Sequence, residues 1–320
     1  MTRLHYSRGA LHAPNHVGST AADKLRPAGA LAIAGVIPHK SKGQNFLVQP
    51  RVADRIIEAA EIAGGDDVIE IGPGLGILSE RLARQPLSRL VLVELDDRLA
   101  IQLRERFADD ARVAVINRDF LSHDPRDLLN SHLSADSPCP PLRVVANLPF
   151  NVAAAILERL CAIHTTTARM VLMFQREVAE RIRARTGSSS YGALSVFTSM
   201  YWEVTGHFRV AAGSFYPKPK VDAGVLTFTP RDPMPFAHDE ERAVLATVRA
   251  AFSAPRKTLR NAVGRALALD SVALEEAFAR AAIDPGARAA TLTVEDFVRL
   301  ARALDGPLDL PRDRDRSHHA

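Results

Sequence analysis

Between residues 67 and 174, short apolar runs alternate with amphipathic helix patterns, and this alternation constrains the fold more than any other feature. Residues 67–71, 89–94, 112–116, 142–147 and 169–174 have strand length and are rich in Val, Ile and Leu. Residues 75–84, 98–107 and 152–163 carry the apolar spacing of helices. A further helix is predicted at residues 51–63, where Val52, Ile56, Ile57 and Ala60 share one face. Apolar strands separated by helices predict an α/β fold, a doubly wound parallel sheet covered on both faces. Such sheets bind ligands beyond the C-terminal ends of their strands. The residues at those ends are therefore the ones that carry information about chemistry.

The first strand runs into Gly72-Pro73-Gly74-Leu75-Gly76. Glycines let a backbone approach a ligand closely, and a helix N-terminus follows. A dinucleotide loop places its third glycine five residues after the first, but here Gly76 comes four after Gly72 and position 77 is Ile. That spacing favours the loop that holds S-adenosylmethionine. Glu94 ends the second strand, where a carboxylate can accept both ribose hydroxyl protons of a nucleoside. Asp119 follows the third strand and can accept from an adenine amino group. The strand that closes on Asn147 leads into Leu148-Pro149-Phe150. Pro149 fixes its own φ and biases Leu148 toward extended geometry. The turn thus presents an amide (Asn147), a carbonyl (Leu148) and an aromatic face (Phe150). Asn147 Oδ1 and the Leu148 carbonyl can accept the two N–H bonds of an exocyclic amine while Phe150 stacks on its ring.

The rest of the chain bounds the setting. Its 320 residues suffice for two domains. A hydrophobic content of 47% and a charged content of 24% are ordinary for a soluble globular protein. Net charge is only +4, yet the isoelectric point is about 9.3, which permits nucleic acid as a partner. Cys139 and Cys161 form neither a metal-ligand spacing nor a disulfide framework, and this fits a reducing compartment. No apolar run reaches the length of a membrane span. Residues 1–37 are basic, lack periodicity and read as a mobile tail, a composition shared with transit peptides. Residues 131–141 read as a loop. Arg231-Asp232-Pro233-Met234-Pro235 reads as a linker, and helix patterns follow at 239–252, 256–268, 271–282 and 293–303. Thr293 and Asp296 have capping-box spacing. Basic residues group at Arg256, Lys257 and Arg260, predicted at a helix start, and at Lys218 and Lys220 in a Pro-rich loop. Phosphate contact is the reading that such clusters beside the sheet favour.

Several stretches, in order, resemble the motifs of the rRNA adenine dimethyltransferases. They are Lys40-Ser41-Lys42-Gly43-Gln44-Asn45-Phe46-Leu47, Glu70-Ile71-Gly72-Pro73-Gly74-Leu75-Gly76, Glu94, Asp119 and Asn147-Leu148-Pro149-Phe150-Asn151. Gln175-Arg176-Glu177-Val178-Ala179, Tyr191-Gly192-Ala193-Leu194-Ser195-Val196, Phe215-Tyr216-Pro217-Lys218-Pro219-Lys220-Val221-Asp222 and Arg256-Lys257-Thr258-Leu259-Arg260-Asn261 continue the match, which covers residues 38–304. The pattern is most similar to the bacterial small-subunit (16S) branch. The resemblance implies a class I (Rossmann-like) methyltransferase domain at 38–230, a small all-helical RNA-binding domain at 231–306 and a flexible tail at 307–320. It implies S-adenosyl-L-methionine as cofactor, held by Asn45, Leu47, Gly72, Gly74, Glu94, Asp119 and Asn147, with no metal. Asn147, Leu148, Pro149 and Phe150 are the implied catalytic turn, and Lys218, Lys220, Arg256, Lys257 and Arg260 the implied RNA contacts. The implied reaction is dimethylation of adenine N6 in small-subunit rRNA, on an immature 30S subunit, by a cytoplasmic monomer. The alternatives are an antibiotic-resistance enzyme of 23S rRNA and a mitochondrial methyltransferase or transcription-factor relative. The chain departs from the family pattern at Phe150, usually Tyr, at Ala153, usually Ser, and at Ser189 and Ala193, where basic residues are common.

Overall fold

A computed structural model describes residues 44–127 and 141–304. The expectations for residues 1–37, for the loop at 131–140 and for the tail at 307–320 lie outside the described residues, as do Lys40 to Gly43 of the N-terminal motif.

The strands in chain order are β1 (Phe46–Leu47), β2 (Asp67–Ile71), β3 (Arg89–Glu94), β4 (Val113–Asn117), β5 (Leu142–Asn147), β6 (Thr167–Gln175), β7 (Trp202–Val210), β8 (Phe215–Tyr216) and β9 (Ala223–Pro230). Seven of them form one sheet in the order β4-β3-β2-β5-β6-β9-β7, and β1 pairs with β8 apart from it. The five predicted strands, β2 to β6, are the parallel part. A wholly parallel sheet is corrected: β9 pairs antiparallel with β6, and β7 antiparallel with β9. The edge strand β7 exposes Glu203, Thr205 and Arg209 and carries a bulge where Gly206 takes φ 53°. Such a half-polar strand lacks the continuous apolar run of a buried parallel one.

The helices are α1 (Pro50–Ala60), α2 (Ser79–Leu82), α3 (Asp97–Arg106), α4 (Ala153–Leu160), α5 (Arg176–Ile182), α6 (Ala193–Tyr201), α7 (Glu241–Phe252), α8 (Leu259–Leu267), α9 (Ser271–Ala281) and α10 (Val294–Ala303). Two predicted helices shorten. The one expected at 75–84 is the single turn of α2, because Gly72, Gly74 and Gly76 all take positive φ and the Gly76 N–H closes a turn on the Pro73 carbonyl at 3.0 Å. The one expected at 256–268 starts at Leu259, because the Lys257 N–H bonds the Ala254 carbonyl at 2.9 Å and Thr258 is extended. Arg256 and Lys257 therefore sit in the turn before α8. The capping box at Thr293 forms as expected, with the Thr293 N–H donating to Asp296 Oδ2 at 2.8 Å.

One apolar cluster covers one face of the sheet with Ile69, Val91, Val144 and Leu172 and continues without a break to Val244, Leu259, Phe278 and Phe297 of the C-terminal helices. On the other face α1 buries Ala53, Ile56 and Ile57 against Val68, Val145 and Val171. Among the described residues no helix is long and apolar enough to cross a membrane, and no group of three or more His, Cys, Asp or Glu side chains is placed to hold a metal.

Candidate active site

The chain leaves β2 toward β3 on one side and later returns to pair β5 on the other. That reversal opens a crevice at the C-terminal ends of β2 and β5, where open α/β sheets bind their ligands. A cleft of about 260 Å³ lies there, lined among others by Asn45, Leu47, Gly72, Gly74, Glu94, Asp119, Asn147, Leu148 and Pro149. The fold thus gathers every residue expected to hold the cofactor. That space admits a nucleoside-sized molecule and excludes a nucleic-acid duplex.

Backbone geometry builds the floor. Gly72 and Gly74 take φ 67° and 58°, and a Cβ on Gly74 would stand 2.9 Å from Phe46 Cδ1. Side chains are thus excluded where the loop meets β1. The Gly74 N–H donates to Glu94 Oε2 at 3.0 Å, and the Asp96 N–H to Glu94 Oε1 at 2.9 Å. Glu94 is 5% exposed, and burial raises its pKa against the pull of those two N–H groups. Each oxygen keeps acceptor capacity beyond its one backbone donor. Asn117, at the end of β4, donates from Nδ2 to the Glu94 carbonyl at 3.0 Å and ties the two strand ends together. Asp119 accepts from the Leu121 N–H at 2.9 Å and from Ser122 Oγ at 3.1 Å. It caps the next turn and also faces the cleft.

Asn147 is held from one side only. Its Nδ2 donates to the Asn45 carbonyl at 3.1 Å, which orients the amide, while Oδ1 is buried with no partner. An unsatisfied buried acceptor costs about 1–3 kcal/mol. A donor arriving from the cleft removes that cost.

Phe150 departs from expectation. It does not line the cleft but packs edge-to-face on Phe215, with centroids 6.1 Å apart and planes at 67°. The second ring of this pair comes from β8, at the start of the Pro-rich segment. Phe215 carried a detectable signal, being the apolar residue ahead of Tyr-Pro-Lys-Pro-Lys.

Glu70, which in the sequence stands out only as part of the glycine motif, lines the same cleft and is 1% exposed. Ser79 Oγ donates to it at 2.6 Å. Burial pushes its pKa up to about 8 against that bond, and the charge of Glu94 adds to the rise. Nothing in the sequence pattern marks its burial or its proton.

The basic residues divide. Lys218, Lys220, Arg256 and Lys257 are exposed and make no ion pair among the described residues. Arg260 is exposed but pairs with Glu275 of α9. Arg249 pairs with Glu158 at 2.6 Å and lies over the Phe197 ring.

The family model described as "Ribosomal RNA adenine dimethylase" matches residues 37–305. The "Ribosomal RNA small subunit methyltransferase A" of Geobacter metallireducens is 41% identical over 84% of this chain and 96% of its own length. The protein of that name from Enterococcus faecalis is 36% identical over 83% and 90%. Among solved structures, a dimethyladenosine transferase from Plasmodium falciparum superposes with a TM-score of 0.62 at 24% identity, covering 79% of this chain and 94% of its own. The 23S rRNA methyltransferase ErmE superposes with a TM-score of 0.59 at 26% identity, covering 82% of this chain and all of its own.

Proposed function

The chain belongs to the ribosomal RNA adenine dimethylase family, and from that premise we propose that its cleft methylates adenine N6 in 16S rRNA of the immature 30S subunit, with the enzyme acting as a monomer in the cytoplasm. It is an S-adenosyl-L-methionine-dependent rRNA adenine methyltransferase, and it acts twice on each target base. Small-subunit rRNA fits better than large-subunit rRNA, because identity reaches 41% with the small-subunit relative against 26% with ErmE.

The residues present fit the cofactor. The glycine loop admits close approach at Gly72 and Gly74. Glu94 turns acceptor capacity toward a diol, and Asp119 stands a strand further along. Asn45, just before β1, and Leu47 within it close the cleft from that side. When bound, S-adenosyl-L-methionine supplies a methyl group activated on a sulfonium centre.

The observation that carries the reading is the unpartnered Asn147 Oδ1 at the end of β5. The lone pair of an adenine amine is delocalised into the ring. Asn147 Oδ1 and the Leu148 carbonyl accept its two hydrogens, draw them out of the ring plane and return nucleophilicity to nitrogen. Pro149 fixes the turn that aims both acceptors. Orientation and preorganised acceptors then do most of the work. Phe150 stands in the same turn, partly buried against Phe215 and outside the residues that line the cleft. Lys218, Lys220, Arg256 and Lys257 hold the RNA backbone.

Tritiated-methyl incorporation into small subunits from an undermethylated strain tests this. Wild type labels adenines of 16S rRNA in those subunits, and Asn147→Ala abolishes the label while keeping its fold by circular dichroism. Full activity in Asn147→Ala would overturn the assignment of the turn.

A further inference from the structure

We propose that Tyr216 is an RNA-positioning residue: its ring stands at the rim of the cleft as a stacking platform for an unpaired nucleotide that flanks the target adenine. The inference rests on the rRNA reading and adds a contact to it.

The β1–β8 ribbon carries the geometry. Its register pairs Leu47 with Phe215 and Phe46 with Tyr216, so each pair shares one face of the ribbon. Leu47 and Phe215 are buried in the core, on the face where Phe215 meets Phe150, and Leu47 also reaches the cleft. Phe46 faces the other way, lines the cleft and comes against the glycine loop at Gly74. Tyr216 shares the ribbon face of Phe46, lies outside the residues that line the cleft, and is 39% exposed. The two adjacent rings therefore serve opposite faces of the ribbon, Phe215 toward Phe150 and Tyr216 on the face of Phe46, which lines the cleft.

The occupant follows from the neighbours. Leu95 also lines the cleft and is 55% exposed, so the mouth is apolar on more than one side. Lys218 and Lys220 lie two and four residues beyond Tyr216, exposed and outside any ion pair among the described residues. A single exposed ring with cations beside it matches the pairing of base stacking with phosphate contact in single-stranded nucleic-acid sites. A protein partner would need a broader apolar patch.

The test uses the full chain and undermethylated small subunits. Tyr216→Ala raises KM for the subunits roughly tenfold, the size of a lost stack, with kcat and the Kd for S-adenosylmethionine held near wild type. Tyr216→Leu keeps apolar bulk on the ribbon without the π face and shows the same rise. Tyr216→Phe behaves as wild type. Tyr216→Trp adds a fluorophore that single-stranded rRNA fragments quench beyond the wild-type background from Trp202. Unchanged KM in Tyr216→Ala and Tyr216→Leu, or no quenching in Tyr216→Trp, overturns the proposal. If wild type itself labels no rRNA adenine, the broader reading fails on its own, and the quenching still decides whether Tyr216 stacks on RNA.

Discussion

Two carboxyl groups at neighbouring strand ends behave differently because of what donates to them. Both line the cleft, but Glu94 receives two backbone N–H groups, whereas the more deeply buried Glu70 receives one hydroxyl. Glu94→Ala should weaken S-adenosylmethionine binding by roughly 1–3 kcal/mol, the value of hydrogen bonds to a charged group. Calorimetric titration giving wild-type affinity would take Glu94 out of the site. For Glu70 the pKa rises on folding from 4.5 to about 8. The folded state then keeps a proton that the unfolded chain releases, so this group's contribution to stability falls as pH rises from 4.5 through about 8 and levels beyond. Glu70→Gln carries no such proton and still accepts from Ser79. Its stability advantage over wild type should grow across that window by up to about 1.4 kcal/mol per pH unit. Urea unfolding at pH 5 and pH 8 measures the gap, and an equal gap at both values contradicts a buried proton. At this scale the position of Glu94 and Asp119 at the cleft is readable from strand ends alone. The orienting bond from Asn147 to Asn45 was not, because it joins residues 102 positions apart.

Among the elements, the turn before α8 makes the case most clearly. Arg256 and Lys257 project from it without ion-pair partners among the described residues, while Arg260 on the helix is matched by Glu275. Changing Arg256 and Lys257 together to Ala should lower the slope of log affinity against log salt by about 1.5, as expected for two phosphate contacts. Arg260→Ala should change it less. Filter binding to small subunits over a salt series reads both, and an unaltered slope in the double variant would leave the turn a solvated surface. The glycine loop yields a second expectation. Gly74→Ala places a Cβ 2.9 Å from Phe46 and forces φ 58° on a residue with a side chain. It should cost about 1–2 kcal/mol and displace β1 from the cleft, seen as lost cofactor binding together with a lower Tm. A normal titration in Gly74→Ala would show that the loop tolerates a side chain. The elements read correctly were those with unbroken apolar runs, such as Arg89–Glu94 and Leu142–Asn147, whose bounds match the prediction. Trp202–Val210 escaped because Glu, Thr, Gly and Arg interrupt its pattern at a solvated edge. The glycine loop was read as leading straight into a helix, yet three positive-φ residues turn the chain before α2 begins.

The whole molecule raises the question of whether the helices after Pro230 fold as a unit of their own, as the composition of the linker suggests. Arg231 donates to the Ser199 carbonyl at 3.0 Å and to Glu295 at 2.9 Å, and Tyr191 Oη donates to the Leu292 carbonyl at 2.9 Å. The Gly187 N–H bonds the Ala290 carbonyl at 2.8 Å. The Arg231–Glu295 pair is partly exposed, and such pairs contribute about 0–1 kcal/mol. These bonds therefore set register more than they supply cohesion. Cohesion comes from the apolar cluster, in which Trp202, Tyr201 and Phe228 belong to the same contact network as Val244, Phe278 and Phe297. Separating the two parts would expose both sides of it, at roughly 25 cal/mol for each Å² of apolar surface. We therefore expect one cooperative transition. Trp202, the chain's one tryptophan, is buried on the sheet side, while α7 to α10 contribute much of the helical signal. Urea curves followed by tryptophan fluorescence and by far-ultraviolet circular dichroism should coincide, and a fragment ending at Pro230 should fail to give a native-like fluorescence transition. Curves that separate, with a folded fragment, would mean that the basic turn before α8 can move relative to the cleft. Coincident curves mean that the basic turn before α8 and the turn at Asn147 are carried on one core, so that under the proposed function a phosphate held by Arg256 and Lys257 fixes where the flanking RNA reaches the cleft.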